Sequence, residues 1–157
     1  MPTAPSYAPQ VSRAASTVPP LVARRLGYLG VLPFLLGALL VWFVDDAARP
    51  HVTLAFSAFA AVVVTFLGAV HWGLGMVAAH PSPRLYGWAI TPAIVAWIAV
   101  MMQPVAGLVV HGVMLIACYA VDRKVFPVHG ASAWLTLRFR LTAVASLSCF
   151  VGAAGGT

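Results

Sequence analysis

The sequence predicts an all-α integral membrane protein, a bundle of five transmembrane helices with the N-terminus cytoplasmic (or in a matrix) and the C-terminus outside. Three observations carry that prediction. The 157 residues are 62% hydrophobic and only 8% charged, with a mean hydropathy of +0.96. A soluble domain clothes its surface with roughly a quarter charged residues. The few charges present fall between long apolar runs, and they are distributed very unequally between alternate connections.

A spanning helix needs about 20 mostly apolar residues, because hydrocarbon tolerates only a closed backbone hydrogen-bond ladder. Five stretches qualify. The first covers about 26–44 and stops at Asp45 and Asp46. The second covers about 53–79, ahead of the breaker His80-Pro81-Ser82-Pro83. The third, about 85–102, is ended by Gln103-Pro104, and the fourth, about 105–121, by Asp122-Arg123-Lys124. The fifth follows Arg140 and covers about 141–152. Together these define a transmembrane domain over 26–153, flanked by a disordered tail over 1–25 and a short tail over 154–157.

Orientation follows from Arg and Lys, which accumulate on the cytoplasmic side. Arg13, Arg24 and Arg25 precede the first span, Arg84 lies in the second connection, and Arg123, Lys124, Arg138 and Arg140 lie in the fourth. The other side holds Arg49 beside two aspartates. A pI near 10.2 then reflects topology and attraction to anionic lipid, not nucleic-acid binding. The Pro/Ala/Ser-rich start has the composition of a transit peptide, but five prolines before residue 21 break the amphipathic helix such a peptide needs. A cleaved signal peptide is disfavoured by the length of the first apolar run. The Arg, Ala, Val and Gly bias fits a bacterial inner membrane, or a mitochondrial inner membrane if the chain is eukaryotic.

Small and polar residues mark faces where membrane helices approach one another. At 100° per residue, Ser57, Ala61, Thr65, Gly68, Trp72, Gly75 and Ala79 share one face of the second span, with His71 at its edge. In the fourth span Gly107, His111, Cys118 and Asp122 form a stripe, and in the fifth Thr142, Ser146, Cys149 and Ala153 do. The first offers Gly27, Gly30 and Gly37. Pro33 and Pro92 sit inside spans, where each removes a backbone hydrogen bond. Cys118 and Cys149 lie within spans and read as structural thiols rather than a disulfide.

An ionisable group inside a membrane is a functional hypothesis by default. His71, His111 and Asp122 qualify. The plainest role for a histidine is a neutral ring that hydrogen-bonds a carbonyl or Ser across the bundle. A proton path through His71 and Asp122 is one functional reading. A redox site, with haem or with a quinone stacked on Trp72, is another, although His71 and His111 lie about 10 Å apart in depth by helical rise. Asp122 reads equally as a helix-end residue paired with Arg123, Arg138 or Arg140. Trp42, Trp88, Trp97 and Trp134 read as interfacial anchors.

No phosphate-binding loop, HExxH, paired CxxC or GxSxG occurs, and the only acids are Asp45, Asp46 and Asp122. No enzyme activity, metal or cofactor is expected.

Three stretches carry a resemblance: Gly27-Tyr28-Leu29-Gly30-Val31-Leu32-Pro33-Phe34, Phe66-Leu67-Gly68-Ala69-Val70-His71-Trp72-Gly73 and Trp88-Ala89-Ile90-Thr91-Pro92. With Tyr119 to Arg123 and Trp134 to Thr142, they resemble the DUF3429 family of small multi-span membrane proteins, and mitochondrial proteins similar to transmembrane protein 69. The segment ending in His71-Trp72-Gly73 is the most specific. The resemblance implies an inner-membrane, multi-pass protein and brings no activity with it. Its motif residues fall here on Pro33, Gly68, His71, Trp72, Gly73, Asp122 and Arg123, with His111 and Cys118 as a secondary polar stripe. The expectation is a non-enzymatic accessory or assembly protein, with a subunit of a respiratory-type complex as its leading form. Its partners would be the lipid bilayer and other membrane-protein subunits. A small proton-coupled transporter using His71 and Asp122, or a haem- or quinone-binding protein, is the alternative.

Overall fold

A computed structural model describes residues 18–80 and 82–156. Among them the chain is all-helical and folds into five helices long and apolar enough to cross a membrane. They are α1 (Leu21–Phe43), α2 (Arg49–Val77), α3 (Pro83–Met101), α4 (Pro104–Val128) and α5 (Leu135–Gly155), with a short 3-10 turn at Ser132–Trp134 before α5. Connections this short make sequential helices antiparallel neighbours. The interfaces α2–α3, α4–α5 and α1–α5 are the most extensive, and α2 and α4 also meet directly.

Proline begins helices here more than it ends them. Pro50, Pro83 and Pro104 each lie in the first turn of their helix, where a missing N–H costs nothing. The Ser82 hydroxyl caps α3 by accepting from the Arg84 N–H at 3.3 Å.

The helices outrun the expected spans, most of all around the fourth connection. α4 passes straight through Asp122-Arg123-Lys124 to Val128, and α5 starts at Leu135, ahead of Arg138 and Arg140. A charge run stops an apolar pattern without stopping a helix. What ends α4 is Gly130, at φ 68°, with the Ala131 N–H returning to the Phe126 carbonyl at 2.8 Å in the pattern of a left-handed helix cap. Asp122 is therefore mid-helix, not a helix-end residue. At the other end, α1 begins at Leu21, inside the stretch expected to be a disordered tail; residues 1–17 lie outside the described residues.

The core is a single cluster containing Phe34 and Val41 of α1, Phe56, Ala60 and Val64 of α2, Leu108, Leu115 and Cys118 of α4, and Ala145 and Cys149 of α5. Both cysteines are buried free thiols, as expected. The stripes on α4 and α5 face inward as read: Gly107, His111, Cys118 and Asp122, and Thr142, Ser146, Cys149 and Ala153, are all buried. The stripe on α2 is displaced. Its buried face is Thr53, Phe56, Ser57, Ala60, Val64, Leu67, Gly68, His71 and Gly75, so His71 sits within it rather than at its edge, while Thr65 and Trp72 face outward. Large residues such as Phe56 and Leu67 fill this face, and a search for small and polar residues alone rotates it wrongly. On α1, Gly27 and Gly37 meet Leu141 and Phe56, whereas Gly30 meets nothing.

Glycine is required where backbones touch. A Cβ on Gly68 would stand 2.5 Å from the Ala89 carbonyl oxygen and 3.1 Å from Pro92 Cγ. One on Gly107 would stand 2.6 Å from the Ala99 carbonyl oxygen. These contacts draw α2 and α4 onto α3.

A candidate functional site at the basic end of the bundle

The antiparallel arrangement gathers Arg24, Arg25, Arg84, Arg123, Lys124, Arg138 and Arg140 at or near one end of the bundle, and leaves Arg49 with Asp45 and Asp46 at the other. Toward the basic end, α2, α4 and α5 bring His71, Asp122 and Arg138 together. His71 and Asp122 are each 1% exposed, and Arg138 is 14% exposed. The Arg138 guanidinium donates to Asp122 Oδ2 through Nε at 2.8 Å and through Nη2. The other carboxylate oxygen, Oδ1, lies 3.3 Å from His71 Nε2.

Pairing makes this burial tolerable. An isolated carboxylate inside a bundle is costly, and a guanidinium fork supplies both countercharge and aligned donors. His71 is held on its far side, where Nδ1 lies 3.3 Å from the Leu67 carbonyl oxygen. A carbonyl only accepts, so Nδ1 is the donor there. A neutral ring then presents its Nε2 lone pair to Asp122 Oδ1, lone pair against lone pair. Neither atom has a hydrogen-bond partner despite their ion-pair distance. The rings of Trp88 and Phe126 wall the imidazole, at centroid distances of 6.5 and 6.1 Å.

His111 belongs to a separate arrangement. Its Nε2 donates to the Ala96 carbonyl oxygen, and its Nδ1 faces the Ser57 hydroxyl, both at 3.4 Å. It is the neutral ring bonding a Ser and a carbonyl across the bundle that was the plainest expectation for such a histidine. Cys118 is fully buried one turn from Asp122 on α4.

The remaining motif residues lie elsewhere. Pro33 is half-buried in α1, and Arg123 is exposed, pairing with no acid among the described residues. Trp72 is 44% exposed and stacks edge-on with Tyr86 at 5.2 Å, turned away from His71. The two do not form one pocket. Gly73 is exposed, and a Cβ there would meet nothing. Trp88, expected as an interfacial anchor, is half-buried against His71 instead. Arg138 was expected as a topology charge and as one of three partners open to Asp122. A sharper signal was present: it lies four residues before Thr142, so the polar stripe of α5, extended back one turn, reaches it.

Comparison with known proteins agrees with this architecture. Residues 19–154 match the family described as "Protein of unknown function (DUF3429)". The chain is 32% identical over 138 residues to "Transmembrane protein 69" of Xenopus tropicalis, a match covering 82% of this chain and 52% of that protein. It thus spans about half the length of that relative. No solved structure matches.

Proposed function

Since the chain belongs to the DUF3429 family, we propose that it is a non-enzymatic accessory or assembly protein of a larger membrane complex, with a respiratory-type inner-membrane complex the first candidate. The positive-inside bias supports a basic end in the cytoplasm or matrix and a C-terminus outside. The observation that carries this reading is the divided orientation of the segment Gly68 to Gly73. Its inner half, Gly68 and His71, is used within the chain. Its outer half is not: Trp72 lies open beside Tyr86, and Gly73 serves no internal contact. Glycine in a helix interior costs about 1 kcal/mol relative to alanine, and close approach by an outside helix offsets such a cost.

The test is a mild-detergent native pull-down of the tagged chain with mass spectrometry, repeated on Trp72→Ala and Gly73→Leu. Stoichiometric recovery of other membrane subunits, lost in both variants while thermal unfolding of the isolated protein is unchanged, supports the reading. A lone, monodisperse wild-type protein overturns it.

One further observation favours a second reading. The close approach of His71 to Asp122 inside the bundle is what a small proton-coupled carrier would use. That reading expects His71→Ala to fold and to lose flux in proteoliposomes. Wild-type vesicles without proton-driven flux would dismiss it.

A further inference from the structure

Beside the buried trio, on the outer surface, α4 and α5 leave a groove of about 360 Å³ between them. Ile116 and Tyr119 line it from α4, and Phe139, Thr142, Ser146 and Phe150 are among the residues that line it from α5. From Phe139 to Phe150 it runs about 16 Å at the helical rise, roughly half of the ~30 Å hydrocarbon core, which is the depth of one leaflet. Its wide, apolar walls begin where Tyr119 and Phe139 stack at 5.6 Å.

Two observations point to what fills it. Arg123 continues the face of Ile116 and Tyr119 by one turn toward the basic end, so an exposed guanidinium without an acidic partner stands just beyond the groove's mouth, at headgroup depth. The walls below it are largely apolar for the depth of one leaflet. Cation at the mouth and apolar walls beyond match, in order of depth, the phosphate and acyl chain of a phospholipid. We propose that the α4–α5 groove is a binding site for one anionic phospholipid, with its phosphate at Arg123 and an acyl chain along the groove. The site shares no residue with the outward face of Trp72 and Gly73 and stands apart from the assembly reading.

Native mass spectrometry of the full chain tests this, with phosphatidylglycerol or phosphatidylcholine of matched chain length added in detergent. Phosphatidylglycerol is expected to be retained in preference to phosphatidylcholine. Arg123→Gln should lower that preference about fivefold, the scale of one basic residue near an anionic surface, and Arg84→Gln at the same end should leave it unchanged. Ala143→Phe and Leu147→Trp, which fill the groove from its wall and rim, should each reduce retention of both lipids; two variants guard against one failing to fold. Equal retention of the two lipids overturns the proposal, as does an Arg84→Gln effect equal to that of Arg123→Gln. Displacement of the lipid by millimolar inorganic phosphate, independent of the groove variants, overturns it too. Groove variants that shed a co-purifying protein but keep their lipid would show that a partner helix occupies the groove, and would overturn it as well.

Discussion

His71 of α2 and Asp122 of α4 face each other at 3.3 Å, both 1% exposed, in a bundle whose surface is otherwise built for hydrocarbon. Neither would be stable there alone. Asp122 is held by the two donors of Arg138 from α5, and His71 by the Leu67 carbonyl. Three helices that are apolar over most of their length are thus pinned at one level by groups whose geometry is specific. Apolar packing alone permits helices to slide and rotate against one another. A buried trio of polar side chains penalises every register but one.

Asp122→Asn separates the charge from the shape. The amide can still donate to His71 Nε2, so the loss falls on Arg138, left as an unpaired cation. Removing one member of a buried pair costs about 3–5 kcal/mol. Asp122→Asn should therefore lower unfolding stability in mixed micelles by ~3 kcal/mol, and Arg138→Met placed on top of it should recover most of that loss. If the double variant were as unstable as the sum of the two single ones, the pair would not be coupled in this way.

Gly68 and Gly73 lie five residues apart on α2 and should respond in opposite senses. A methyl at Gly68 meets the Ala89 carbonyl oxygen at 2.5 Å, which is backbone and cannot swing aside. Gly68→Ala should cost ~2 kcal/mol by overpacking, and Gly68→Leu should prevent α2 and α3 from packing. Gly73→Ala meets nothing and should leave stability unchanged or raise it by up to ~1 kcal/mol through helix propensity. Thermal unfolding of the three variants, side by side, checks the contrast.

The fold was legible because span length and charge asymmetry are properties of composition along the chain, and lipid makes them decisive. The inward stripes of α4 and α5 were legible for a related reason: Gly107, His111, Cys118, Thr142 and Ser146 are unusual enough in apolar runs to mark a face. The trio was only half legible. His71 and Asp122 stood out as ionisable residues within or closing apolar runs, but Arg138 looked like a topology charge, because sequence alone did not reveal that α5 begins before it. The rotation of α2 was hidden for the opposite reason. Its core face is built from Phe56, Val64 and Leu67, which are indistinguishable in sequence from residues that face lipid.

The last prediction concerns His111, whose ring joins α2, α3 and α4 through Ser57 and the Ala96 carbonyl. With Nε2–H committed to the carbonyl, the neutral ring accepts from the Ser57 hydroxyl, so both ring nitrogens are used. His111→Leu removes both hydrogen bonds at once and leaves the Ser57 hydroxyl buried beside Gly107, where it lies 2.9 Å from the position a Cβ would take. The expected cost is ~1–2 kcal/mol, mostly for the hydroxyl left without its acceptor. Ser57→Ala should then cost less in the His111→Leu background than in the wild type, and the difference between the two gives the coupling. Because His111 is tied into packing and not into the outward face of Trp72 and Gly73, its loss should leave the pull-down profile of the wild type intact. A variant that kept full stability but lost its partners would instead move His111 from scaffold to interface.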